Sequence, residues 1–147
     1  MAHEDAGHYA GKHPQGTQAD EKISAAVKEK ATDGKLSCAG AERITKDLSV
    51  SMEEVGRTAD LLELRIHKCQ LGLFGYGEDK PHGKKVEAAG SCEPDLEKEI
   101  REGLVDGRAS CKVLWEIAGR RGMKRMDVTA ACEFLKIKIK PCQLGAF

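Results

Sequence analysis

Four cysteines occur as two pairs at one interval, Cys38 with Cys69 and Cys111 with Cys142. Thiols can be small buried apolar groups, redox partners or ligands to soft metals. Burial ranks first, because free cysteine is among the residues most often found inside proteins. A disulfide formed on oxidation within each pair ranks second. A metal or iron–sulfur site uniting four thiolates ranks last, since no Cys-x-x-Cys, the usual local chelate, is present. Cys92 and Cys132 have no counterpart and are read as incidental. A second grouping is basic: Arg120, Arg121, Lys124 and Arg125 bracket one short stretch and could clamp phosphates.

No other chemistry stands out. There is no nucleophile–base pair, no carboxylate cluster and no phosphate loop. Gly72-x-x-Gly75-x-Gly77 follows a strand pattern but runs into a linker, so the dinucleotide reading fails. His3, His8 and His13 are not at a helical ligand spacing. The chain is read as a non-enzyme without a cofactor.

The elements that must position these residues come in duplicate. Lys68-Cys69-Gln70-Leu71-Gly72-Leu73-Phe74 returns as Pro141-Cys142-Gln143-Leu144-Gly145-Ala146-Phe147. A shift of 73 residues also superimposes Asp33-Gly34 on Asp106-Gly107, Ser37 on Ser110, Ile44 on Ile117, Val55 on Val128 and Leu62 on Leu135. The chain is two copies of a unit of about 50–55 residues, near the lower size limit for independent folding. The expected layout is a flexible tail over 1–19, a first copy over 20–76, a linker over 77–92 and a second copy over 93–147.

Each copy reads as helix, short strand, helix, turn, helix, strand. Helix 1 spans about Asp20–Thr32, with Ile23 and Val27 on one face and Asp33-Gly34 ending it. Helix 2 spans about Ala39–Leu48 and Lys112–Arg121; helix 3 spans about Met52–Leu62 and Met126–Leu135. Ser51-x-x-Glu54 is a capping box. Leu64–His67 and Ile137–Lys140 alternate as half-buried strands, and the short strand before helix 2 should pair with them. Cys69 and Cys142 then fall out of phase with the inward residues, so each faces out unless a bulge re-aims it.

A helix-turn-helix needs a small residue in helix 2, a left-handed turn residue and an aliphatic plug in helix 3. The second copy supplies Ala118, Gly122 and Val128; the first supplies Thr45, Ser49 and Val55. The order of elements resembles tandem winged-helix or helix-turn-helix DNA-binding domains. The resemblance implies a mainly α fold with short β, built as two three-helix repeats, each with a small two-stranded β element. A wing would be minimal or absent, and the Cys-Gln-Leu-Gly-x-Phe ending lies outside the usual pattern.

The resemblance further implies that helix 3 enters the major groove of double-stranded DNA. The outward residues would be Lys124, Arg125, Thr129, Ala130 and Glu133, with Arg120 and Arg121 at the end of helix 2. In the first copy Ser51, Met52, Glu53, Gly56, Arg57 and Asp60 face outward, and that face is acidic. The first copy carries nine Lys/Arg against ten Asp/Glu, the second eleven against nine, so the second is the expected DNA face.

Composition narrows the classes. Of 147 residues 33% are charged, and 24 basic side chains balance 24 acidic ones. Neutrality gives no global argument for nucleic acid or a membrane surface. No apolar run approaches the ~20 residues of a span, and the polar N-terminus is not a signal peptide. The reading is a cytoplasmic DNA-binding regulator. The alternative is a protein-interaction adaptor, with a protein partner or homodimer, or a thiol-based redox or metal sensor on the same fold. Trp115, where the first copy has Glu42, is a candidate for burial between the copies.

Overall fold

The computed structural model describes residues 8–77 and 83–147. His3, part of the tail, and positions 78–82 of the linker lie outside the described residues. Each copy has the same order of elements. The first holds α1 (Glu21–Lys30), β1 (Lys35–Ser37), α2 (Cys38–Leu48), α3 (Met52–Leu61) and β2 (Arg65–His67). The second holds α4 (Pro94–Glu102), β3 (Arg108–Ala109), α5 (Cys111–Arg121), α6 (Arg125–Phe134) and β4 (Lys138–Ile139). The chain is mainly helical with two small sheets. Among the described residues no helix is long and apolar enough to cross a membrane.

Local chemistry sets the boundaries. Asp20 caps α1 by accepting from the Ile23 N–H at 2.9 Å. Asp33-Gly34 was expected to end that helix. Instead α1 stops at Lys30, and Asp33 (φ 51) and Gly34 (φ 73) make a two-residue left-handed turn bridging Thr32 to Lys35. Asp-Gly suits such a turn because both central residues need positive φ. Asp106-Gly107 repeats it between Val105 and Arg108. Ser37 caps α2 through the Gly40 N–H, and Ser110 caps α5 through the Val113 N–H. The Ser51–Glu54 capping box is present in both directions.

Of the residues read as a helix-turn-helix, Thr45 is only half-buried. Ile44, Val55, Ile117 and Val128 are fully buried, with Ala118 beside them. Ser49 (φ 54) and Gly122 (φ 63) are both left-handed at the end of their helices. The strand before the pair joins the strand after it, as expected. The pairing is parallel, Leu36 opposite Ile66 and Ala109 opposite Ile139. Two helices between the strands carry the chain back to its starting end, which a parallel pair requires. Among the described residues neither copy forms an antiparallel wing hairpin.

The copies are not independent beads. Cys69, Leu71 and Phe74 of the first motif lie in the core of the second copy, with Ile100, Leu114, Ile117 and Val128. Leu144 of the second motif lies in the core of the first, with Val27, Leu36, Ile44 and Val55. Each Cys-Gln-Leu-Gly motif thus completes the other copy's core. Trp115 packs against both.

Two further segments cover the third helices. Residues Tyr9–Lys12 form a 3-10 turn whose Tyr9 and Ala10 N–H groups donate to the Glu63 carboxylate at 2.9 and 2.8 Å. Lys12 and His13 reach Asp60 at 3.2 and 2.8 Å. In the linker Val86 is buried, its N–H donating to the Gly72 carbonyl, and the Ala89 N–H donates to the Ala130 carbonyl of α6.

Candidate thiol centre between the repeats

Cys38 and Cys111 are the first residues of α2 and α5, one position inside the helices rather than on the strands. Cys69 and Cys142 follow β2 and β4. Lys68 (φ 50) breaks the strand's alternation, and Cys69 beyond it is buried. The out-of-phase cysteine is therefore re-aimed inward. All four line one void of about 10 Å³ between the copies, together with Gln70 and Trp115. That volume is about the room one water needs.

The two motif glutamines read across to the helix-start thiols. The Gln70 side-chain NH2 lies 3.7 Å from Cys38 Sγ, and that of Gln143 lies 3.4 Å from Cys111 Sγ. Burial pushes the Cys38 thiol up to about 12 and the Cys111 thiol up to about 11. Burial also raises Cys69 and Cys142, with backbone N–H groups partly offsetting the rise in both and the neighbouring Cys69 thiol adding to it at Cys142. All four are protonated at neutral pH, so none is a ready nucleophile. Among the described residues no three Cys, His, Asp or Glu side chains stand at metal-chelating distance, and the cysteines are free. One polar atom beside the void is orphaned: the Trp115 indole N–H is buried without a partner, whereas buried donors are nearly always paired.

A polar clasp closes one side. Arg125 holds Glu42 with two bonds of 2.9 and 2.8 Å and donates to Gln70 Oε1 at 2.8 Å. Gln70 donates back to Glu42 at 3.0 Å. The guanidinium lies 3.7 Å from the Trp115 ring centroid. Arg125 holds the Glu42 carboxyl down at about 2. Glu42 and Trp115 occupy the same position of the repeat, 73 residues apart, and meet around one arginine. The sequence reading missed Glu42 and Gln70. The signal for Gln70 was its recurrence in the motif; Glu42 carried none.

The expected DNA-contacting residues are scattered in role. Arg125 belongs to this clasp. Arg120 binds Glu99 of α4 at 2.8 Å, and Arg121 binds the same carboxylate at 3.0 Å. Lys124 is exposed at the start of α6. Thr129 does not face outward: it is fully buried and its hydroxyl donates to the Arg125 carbonyl. The linker runs along α6, where the Ala89 N–H meets the Ala130 carbonyl. In α3, Met52, Gly56 and Asp60 are likewise buried rather than outward. Gly56 lies against the Leu144 backbone and Asp60 against the N-terminal turn. Cys132 is buried within α6, away from the void. No protein-family model, curated protein or solved structure matches this chain.

Proposed function

We propose that this chain is a non-enzymatic, thiol-based metal sensor, working in the cytoplasm and binding a thiophilic cation such as Zn(II) between its two repeats. One observation carries the reading: two cysteines from each repeat line a single small void. Thiolate donors select soft or borderline cations. Disulfide formation is the less favoured use, because protonated buried thiols attack slowly. A cation changes that balance, since it stabilises the thiolates that burial disfavours. Each thiol would release its proton, and the sulfurs, which do not stand at chelating distance in this structure, would have to move to about 2.3 Å from the ion. Because the motifs that carry Cys69 and Cys142 also complete the opposite cores, closure would tighten one repeat on the other.

The test is Zn(II) titration of the reduced full chain against a chromophoric chelator, with proton release and Co(II) absorption read in parallel. The reading expects one ion per chain, thiolate–Co(II) charge transfer, and loss of both in Cys38→Ser and Cys142→Ser. No uptake, or uptake unchanged in both variants, rejects it.

A second reading is DNA binding by a transcription regulator. It is favoured by the left-handed Gly122 turn and by the cations beside it, exposed Lys124 and half-exposed Arg120. Against it weigh the intramolecular pairs of Arg120, Arg121 and Arg125. Anisotropy with a random duplex at several salt concentrations separates the two. Lys124→Ala should lower the salt slope by about 0.9 if Lys124 meets a phosphate. Salt-independent or absent binding ends this reading.

A further inference from the structure

On the first repeat, away from the thiol void, a cleft of about 540 Å³ opens beside β1 and β2. Lys30, Lys35, His67 and Lys68 line it, and Asp33 is the one carboxylate among its described lining residues. Among the described residues none of these lysines is in an ion pair. Like charges this close repel, and a fold keeps them together only at a cost in stability.

The far wall is Gly75-Tyr76-Gly77. Gly75 (φ 85) lies so close that a Cβ there would collide with the Lys68 backbone nitrogen. The Lys68 N–H donates to the Gly75 carbonyl, and the Tyr76 hydroxyl is tied to the Cys69 carbonyl. Lys85 stands 5.3 Å from the Tyr76 ring centroid and adds a further cation at that wall. The cleft therefore has a hydrogen-bonded far wall and three lysines along its lining, at a size suited to a small ligand. The second repeat keeps basic residues at two of these positions, with Arg108 and Lys140 at those of Lys35 and His67, and lacks the other two. Gly103 stands at the position of Lys30 and Pro141 at that of Lys68.

We propose that this cleft binds a small molecule through a pyrophosphate or polyphosphate group, gripped by Lys30, Lys35 and Lys68. Two linked phosphates supply more negative charge than Asp33 alone offers the three lysines, and lysine is a point-charge partner for phosphate.

The experiment is calorimetry of the full chain with inorganic pyrophosphate, and separately with ATP, alongside two-dimensional amide NMR. Lys35→Gln and Lys68→Gln are the variants, with Lys124→Gln as a remote control. The expected result is one pyrophosphate per chain. Affinity should fall about tenfold in each cleft variant and stay unchanged in the control. Amide shifts should centre on Lys35, His67 and Gly75–Gly77. Binding of ATP but not pyrophosphate would mean that something other than the phosphates is recognised, and overturns the proposal. So would no binding at about 1 mM probe, or equal loss in the control. If the cleft variants change the amide spectrum without ligand, Lys30→Gln on the exposed end of α1 replaces them under the same criteria.

Discussion

Arg125 is the most heavily used side chain at the junction of the repeats. Its two bonds to Glu42 span the copies, and its face rests on Trp115. Removing it leaves a carboxylate and a glutamine short of a partner in a partly buried place. Arg125→Ala should cost about 1–3 kcal/mol in urea unfolding, with Arg125→Lys recovering little because the planar fork is lost. The same pair gives a pH dependence. Glu42 is held at about 2, below its ordinary 4.5. A depressed folded pKa contributes stability above the unfolded value and loses it as pH falls toward 2. Wild type should therefore lose stability between about pH 5 and 2 more steeply than Glu42→Gln. Parallel curves would show that the clasp contributes nothing.

The third helices are better described by what covers them than by what they present. On α3 the Leu144 backbone lies against Gly56, where any Cβ would overlap the Leu144 carbonyl. Gly56→Ala must push the second motif away, and overpacking of this kind costs about 1–3 kcal/mol. Its thermal midpoint should fall, whereas Gly119→Ala, on α5 with open space around it, should be neutral or stabilising. Equal effects would mean that the docking of Leu144 on α3 is loose. Covering explains why periodicity misjudged α3. Asp60 has the spacing of an exposed residue, yet Lys12 and His13 of the N-terminal segment reach it from far along the chain. No pattern within a helix reports such a visitor.

For the whole molecule, exchanged motifs make the two small cores one folding unit. Leu71 is fully buried in the second copy's core, and Leu144 nearly so in the first's. Leu71→Ala should cost about 2–5 kcal/mol and lower hydrogen-exchange protection in α4–α6, although residue 71 belongs to the first copy. Unfolding should remain one transition for wild type. Two separated transitions would show that the motif exchange does not couple the copies.

The duplicated unit, the order of its elements, the capping box, the left-handed turn residues and the core aliphatics were legible in the sequence. Each depends on neighbours within a turn or two of helix or strand, so local chemistry is enough to specify them. The parallel strands, the inward turn of Cys69 and the reciprocal motif exchange were not. They depend on how two units dock, which a repeat in the sequence announces but does not orient. Tertiary structure alone decided that Arg125 would meet Glu42 rather than solvent, because the pairing partner lies 83 residues away in sequence. It also decided that two cysteines from each repeat would face one void, because only the docked pair brings them together.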